Sequence, residues 1–247
     1  LSRLGVNFFF KTIAAAAVLG AVVYGLRALG LPLDTDTTVI SALMVLVPGL
    51  VFTNFMCDLL TGDMVSGLST FVRAVLTATA IAIGTGVALG LFQALGLTAE
   101  GVGAKGDYGG LVQCLAAFLA CSGFCVMYNV HGWGVVLCCL GGALGWAVYL
   151  AAGMATGSIY LRYLAAGIAI AAYAEIMARV RKYPITAYLV VSFFPLVPGS
   201  SIYYAMYYAI QGQRQMFLES GIQALGLASC QAIGTLLVAT TMRTYVT

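Results

Sequence analysis

The tetrapeptide Leu-Val-Pro-Gly occurs twice, at residues 46–49 and 196–199, and the flanking sequence repeats with it at a separation of 150 residues. Between 46–85 and 196–235, thirteen of forty positions are identical without a gap. This apolar composition gives roughly three or four identities by chance, so the chain contains a duplicated structural unit. Any fold proposed for it has to accommodate that unit twice.

The composition predicts an integral membrane protein. Hydrophobic residues make up 62% of the chain and charged residues 8%, too few to cover a soluble globule. Continuous runs of Ala, Leu, Val and Gly lack the alternation that a membrane barrel needs. We therefore predict an all-α membrane protein with about eight transmembrane helices. The predicted spans are 6–30, 38–60, 66–96, 109–129, 132–152, 157–178, 186–210 and 216–242.

The repeat predicts two modules of opposite orientation. Residues 97–108 form a polar, glycine-rich linker, which separates the last three helices of a first module (1–96) from a five-helix second module (109–247). The repeat places helices two and three onto seven and eight. A displacement by five helices turns the second copy upside down, so we expect inverted-topology repeats. Two helices of the first module are then expected upstream or on a partner chain.

The few basic residues predict the orientation in the membrane. Arg179, Arg181 and Lys182 form a dense, short loop between helices six and seven, and loops of this kind are retained in the cytoplasm. Within helix six, Glu175 is expected to pair with Arg179 one turn later.

Each repeat contains a predicted helix break. Pro48 and Pro198 remove a backbone donor in the middle of an apolar run, and Gly49 and Gly199 permit conformations closed to other residues. Irregular backbone at membrane depth is tolerated where protein buries it or a watery cavity reaches it. Paired breaks in inverted halves indicate a transporter substrate site. The alternative is a pair of packing kinks that bind nothing.

Polar side chains follow both breaks and suit a small polar solute. Asp58 either holds an ammonium group or a coupling proton, or faces headgroups at the interface. Arg73 is either an anion partner or the ion-pair partner of Asp58. The predicted substrate-binding residues are Pro48, Gly49, Asn54, Asp58, Arg73, Pro198, Gly199, Ser200, Ser201, Tyr203 and Tyr204.

Other functional classes find little support in the sequence. One His, no HExxH and no nucleophile–base pair leave no catalytic constellation, so we do not expect an enzyme. The seven cysteines lack zinc-type spacing, and we interpret them as small buried thiols. No metal site, no cofactor and no nucleic-acid partner are expected. The glycines Gly20, Gly84, Gly141, Gly145 and Gly234 are interpreted as sites of close helix packing.

These motifs resemble the threonine/serine exporter family and the related two-polypeptide succinate exporter. Residues 46–62 are similar to the LVPG-x4-N-x3-D-x3-G pattern of the first module, with Asn54, Asp58 and Gly62 in register. The second module is matched by Gly123-Phe124, Asn129-Val130, Tyr183-Pro184, and 195–199 continuing through Tyr203, Ala205 and Met206. The resemblance covers a complete second module over 109–242 and the last three helices of a first over 6–96.

The resemblance implies a secondary exporter of small amino acids in the bacterial cytoplasmic membrane, driven by the proton gradient. The expected partners are a small-molecule substrate, protons and the lipid bilayer. A homo-oligomer is one further expectation. Another is an upstream or partner segment completing the first module, which in the family carries two more helices and a cytoplasmic domain. Export of a dicarboxylate such as succinate, or a passive channel or scaffold, are the alternative functions.

Overall fold

A computed structural model describes residues 7–31, 35–44, 46, 49–97 and 108–244. Within these residues the structure is helical and contains no strand, which confirms the predicted all-α class. The α-helices are α1 (Phe8–Ala28), α2 (Thr35–Leu43), α3 (Gly49–Thr61), α4 (Met64–Ala94), α5 (Gly110–Met127), α6 (Trp133–Ala155), α7 (Ile159–Arg181), α8 (Ile185–Phe193), α9 (Gly199–Ile210) and α10 (Arg214–Thr244). A 3₁₀ turn (Phe194–Leu196) follows α8.

Six of the described helices are long and apolar enough to cross a membrane: α1, α4, α5, α6, α7 and α10. The count is seven if α8 with its 3₁₀ turn and α9 form one span, which is bent by 58°. The remaining predicted span, 38–60, corresponds to α2 and α3 and includes residues outside the described ones. Eight spans therefore remain a prediction, whereas several membrane-crossing helices are established.

The helix bounds repeat as the sequence does. Helix α8 begins and ends 150 residues after α2, and α10 begins and ends 150 residues after α4. Helices α3 and α9 begin at the two equivalent glycines, Gly49 and Gly199. The duplication therefore extends over 35–94 and 185–244, beyond the segment in which the identities are found. The inverted orientation of the two copies remains a prediction.

The turns that follow α3 and α9 are also equivalent. Gly62 has φ +89° and Gly212 has φ +71°, a backbone conformation that other L-residues rarely adopt. Asp63 then begins α4, because its Oδ1 accepts a hydrogen bond from the Ser66 N–H at 3.1 Å. Each copy thus has a turn with a positive-φ glycine at the same position of the repeat.

Close helix packing confirms the interpretation of the repeat glycines. A Cβ atom on Gly84 of α4 would collide with the Ile13 carbonyl oxygen of α1 and lie 2.9 Å from the Ala17 nitrogen. A Cβ atom on Gly234 of α10 would lie 3.0 Å from the Ile168 nitrogen and 3.2 Å from the Leu164 oxygen of α7. The contacted residues of α1 and α7 are themselves 151 residues apart. Helices α1 and α7 are therefore equivalent, although their sequences show little similarity.

Contacts divide the chain into two compact units. Unit 1 comprises the described residues within Leu1–Val51, Ser69–Asp107 and Pro198–Ala224, and unit 2 those within Phe52–Leu68, Tyr108–Val197 and Leu225–Thr247. Unit 1 therefore contains α9 of the second copy, and unit 2 contains most of α3 of the first. The two halves of a broken helix can belong to different units, because the break removes the continuous helical backbone that would hold them together. Residues 98–107 of the predicted linker lie outside the described residues.

The core of unit 2 is built around small residues on α5 and α6. Cys121, Cys125, Cys138 and Cys139 are buried together with Tyr188 and Val191 of α8. They act as small apolar side chains, and the Cys121 thiol donates to the Val191 carbonyl at 3.4 Å. Gly141 and Gly145 of α6 lie against side chains of α7 and α8, as predicted. Within the described ranges, no group of three His, Cys, Asp or Glu side chains could hold a metal ion.

Candidate functional site

The second Leu-Val-Pro-Gly segment interrupts a helix, as the sequence predicts. Helix α8 ends at Phe193, the chain makes the 3₁₀ turn, and α9 begins at Gly199. Pro198 precedes α9 directly and is almost fully buried. The two helical parts are bent by 58° relative to one another.

The backbone carbonyls around this break find new partners, because Pro195 and Pro198 supply no N–H. The Val191 carbonyl accepts from the Phe194 N–H. The Phe194 carbonyl in turn accepts from the Val197 N–H at 3.3 Å. The Leu196 carbonyl receives its hydrogen bond from a side chain, the Nε2 of Gln231, at 2.5 Å. Three carbonyls at the break, those of Val191, Phe194 and Leu196, therefore have hydrogen-bond partners.

Gln231 is the functional candidate that sequence reasoning missed. It lies in the middle of α10 with 0% of its surface exposed, and its Oε1 accepts the Thr53 hydroxyl of α3 at 2.9 Å. The amide thus joins α3, α10 and the turn before the second break, all within unit 2. The available signal was the repeat itself, since the equivalent residue of the first copy is the apolar Ile81.

The first Leu-Val-Pro-Gly segment also separates two helices. Helix α2 ends at Leu43, and the Leu46 N–H bonds the Leu43 carbonyl at 2.7 Å in a turn. Helix α3 then begins at Gly49. Pro48, a predicted site residue, lies outside the described residues.

In each unit, a residue at one break lies close to the helix that follows the other break. Unit 1 combines the first break with α9, and unit 2 combines the second break with α3. In unit 1, Leu46 and Tyr203 both pack against a buried cluster that contains Ile81. In unit 2, the equivalent residues are Leu196, Thr53 and Gln231, which the two hydrogen bonds connect. The same three repeat positions therefore meet twice, with apolar contacts in unit 1 and hydrogen bonds in unit 2.

The predicted residues at the start of α9 lie in unit 1. Gly199 is buried, Ser201 is half-buried and Ser200 is exposed. Within the part of the chain that the structure describes, neither serine hydroxyl has a recorded hydrogen bond. Both serines occupy the first turn of α9, where backbone N–H groups have no partner inside the helix.

The tyrosines of α9 form two stacked pairs. The ring centroids of Tyr203 and Tyr207 are 6.2 Å apart, and those of Tyr204 and Tyr208 are 5.9 Å apart. The sequence analysis selected Tyr203 and Tyr204 but missed the two that follow one turn later. The equivalent positions of α3 are occupied by smaller or more polar residues, namely Thr53, Asn54, Cys57 and Asp58.

The remaining predicted residues have local surroundings. Asn54 is exposed on α3. The Oδ2 of Asp58 accepts the Ser66 hydroxyl at 2.9 Å, across the turn between α3 and α4. The Arg73 guanidinium lies 5.8 Å from the centre of the Phe8 ring. Asp58 therefore joins the end of α3 to the start of α4, and Arg73 of α4 lies against the first residue of α1.

The predicted pair at the end of α7 is confirmed. Arg179 lies 3.4 Å from the Glu175 carboxylate, four residues earlier. Its Nη2 also donates to the Met242 carbonyl near the end of α10 at 3.3 Å. The cation therefore joins the last turns of α7 and α10, consistent with favourable placement of positive charge at helix C-termini.

Comparison with known protein families identifies the chain on both sides of the predicted linker. The family model ThrE_2, described as "Threonine/Serine exporter, ThrE", matches residues 113–241. The model ThrE, described as "Putative threonine/serine exporter", matches residues 1–92. No curated protein and no solved structure matches the chain. With its several apolar helices, the protein is a multi-pass membrane protein, and it belongs to the threonine/serine exporter family.

Proposed function

We propose that this protein is a secondary active exporter of threonine- or serine-like amino acids, driven by the proton gradient across the cell membrane. Its membership of an exporter family supports transport as the class of function, in preference to catalysis. The proposal adds the substrate and the driving force.

The observation that supports the proposal is the packing at the two breaks. The first break packs with α9 in unit 1, and the second break bonds with α3 and α10 in unit 2. Discontinuous helices expose backbone dipoles, and in transporters such segments bind substrate near the bilayer midplane. In this chain the Val191, Phe194 and Leu196 carbonyls at the second break are already bonded. The first turn of α9 presents N–H groups beside Ser200 and Ser201. We place the carboxylate of the substrate at these N–H groups, because helix N-termini favour anions.

Other predicted residues complete the proposed site. The hydroxyls of Ser200, Ser201 and Tyr203 and the amide of Asn54 are proposed to bind the polar groups of the amino acid. Pro48, Gly49, Pro198 and Gly199 shape the backbone, and Tyr204 contributes its ring. Asp58 and Arg73 have a smaller part, as sources of charge along α3 and α4. An anionic Asp58 on α3 disfavours a dianion, so an amino acid is a better substrate than succinate.

The decisive experiment is export from proteoliposomes loaded with radiolabelled L-threonine, with and without an imposed pH gradient. Matched vesicles carry labelled L-serine or succinate, and protein-free vesicles give the leak. We expect threonine efflux that requires the protein and accelerates several-fold when protons can enter as threonine leaves. A protonophore, which collapses the gradient without touching the protein, should remove the acceleration.

Three results would contradict the proposal in different ways. Efflux of succinate without efflux of threonine would assign the runner-up substrate. Threonine efflux that ignores the gradient would indicate a passive channel. Rates equal to those of protein-free vesicles for every solute would leave the two breaks as packing kinks.

A further inference from the structure

We propose that Gln231 is a positioning residue of the transport site. Its side-chain amide holds the Leu196 carbonyl at the second break and the Thr53 hydroxyl of α3, and so fixes the turn that precedes α9 against α3 within unit 2. The inference rests on the proposed transport function for its effect on substrate, but the bridge itself can be tested without transport.

The physical need for this bridge lies at the break. A carbonyl buried in an apolar setting without a hydrogen-bond donor is destabilising, and the hydrocarbon region offers no water to replace the donor. The Gln231 Nε2 supplies the donor to Leu196, and the Oε1 of the same amide accepts from Thr53 at 2.9 Å. Loss of either bond removes the partner of a buried polar group, which is costly.

Comparison of the two units shows that packing alone does not demand glutamine. Ile81 occupies the equivalent position of α4, is equally buried, and meets Leu46 and Tyr203 through an apolar cluster. An aliphatic side chain thus fills this position of the fold in unit 1. In unit 2 the chain places a polar group at a buried site instead, at a cost that only its hydrogen bonds offset. The hydrogen bonds, and not the volume, are what distinguishes position 231.

The positions of the bonded groups connect the bridge to the proposed site. Leu196 lies three residues before Gly199, so fixing its carbonyl fixes where the free N–H groups of α9 begin. Thr53 immediately precedes Asn54 on α3. One amide therefore holds two residues, Leu196 and Thr53, each of which is close in sequence to residues of the proposed site. Gln231 therefore acts through the two residues that it holds, Leu196 and Thr53.

The variants are chosen to separate the hydrogen bonds from the volume. Gln231→Met keeps the length and apolar volume and loses both bonds, and Thr53→Val loses only the second. Leu227→Met, a volume-conserving change at a buried position one turn earlier on α10, is the matched control. We expect the KM for threonine exchange to rise about tenfold in Gln231→Met and about threefold in Thr53→Val, with Leu227→Met within about twofold of wild type.

Gln231→Glu supplies a signature that a packing role would not produce. A protonated carboxyl group donates to the Leu196 carbonyl as the amide does, whereas the ionised group turns two negative oxygens toward it. Exchange measured at equal pH on both sides should therefore fall, relative to wild type, as pH rises from about 5 to about 9. The two groups that bond the Gln231 side chain, the Thr53 hydroxyl and the Leu196 carbonyl, do not titrate in this range. A variant-to-wild-type ratio that stays flat with pH would overturn the donor role.

Hydrogen exchange tests the bridge independently of any substrate. In detergent-solubilised protein, amides in the first turns of α9, including the Ile202 N–H that bonds Pro198, should exchange about tenfold faster in Gln231→Met than in wild type. Unchanged amide hydrogen exchange together with an unchanged KM for threonine in Gln231→Met would overturn the inference. If the wild type moves no threonine, the proposed function fails while this measurement still decides whether the bridge exists. If Gln231→Met does not fold, Thr53→Val takes its place in both measurements.

Discussion

At the scale of single residues, the first turn of α9 carries the clearest test of the substrate site. Ser200→Ala combined with Ser201→Ala removes two hydroxyls next to free helical N–H groups. Each hydrogen bond to substrate is typically worth about 0.5–1.5 kcal/mol, so threonine exchange should fall about threefold to tenfold per hydroxyl at subsaturating substrate. The measurement is exchange at matched protein levels in vesicles.

Ser122→Ala is the matched control, because this half-buried serine of α5 donates its hydroxyl to the Leu119 carbonyl of its own helix at 2.6 Å. Its exchange rate should equal that of wild type. Wild-type exchange by the double variant, with unchanged melting temperature, would move the substrate site away from α9.

Single-residue chemistry was only partly predictable. Pro198 could be assigned a break from sequence, because a missing N–H disrupts a helix wherever it occurs. Gln231 could not be paired with Leu196, since which donor reaches a freed carbonyl depends on how distant helices pack. Asp58 posed the same difficulty, because its bond to Ser66 follows from the geometry of the turn at Gly62.

At the scale of helices, glycines decide how closely α1 and α4 approach. Gly84→Ala places a Cβ atom against the backbone of α1, which cannot move as a flexible side chain can. We expect a loss of about 1–3 kcal/mol, typical of overpacking, and a clear drop in the melting temperature of the solubilised protein.

Gly86→Ala, two residues later on the same helix, is the control. A Cβ atom there meets nothing within 4 Å, so alanine should be neutral or slightly stabilising through its helix propensity. Equal melting temperatures for the two variants would show that α4 and α1 are not packed as closely as described.

The helices themselves were largely predictable, and their partners were not. Predicted span 6–30 became Phe8–Ala28, and predicted span 157–178 became Ile159–Arg181, because long apolar runs leave little choice of structure in a membrane. The same signal predicted one span for 186–210 with a break inside it. The apolar runs could not predict that α9 would pack with the first copy and most of α3 with the second. This swap of helices between copies depends on tertiary contacts that form after each break.

At the scale of the whole molecule, the prediction still to be tested is the opposite orientation of the two copies. Equivalent helix bounds, turns and glycine contacts establish duplication, but duplication alone is compatible with either orientation. The inverted arrangement follows from counting the helices between the copies and from the basic loop at 179–182. It predicts that the turn after α3 faces the cytoplasm and the turn after α9 faces outward.

Single cysteines at equivalent exposed positions can test this topology in a background without the seven native cysteines. Gly62 and Gly212 are poor sites, because a side chain at their positive φ is strained. Thr61→Cys and Gln211→Cys avoid this, since both residues are exposed and lie 150 residues apart at the ends of α3 and α9. In intact cells, an impermeant maleimide should label Gln211→Cys and leave Thr61→Cys unlabelled until the membrane is permeabilised. Arg181→Cys, in the basic loop, should behave as Thr61→Cys does. Labelling of Thr61→Cys and Gln211→Cys from the same side would rule out inverted repeats and, with them, a symmetric pair of broken helices as the basis of transport.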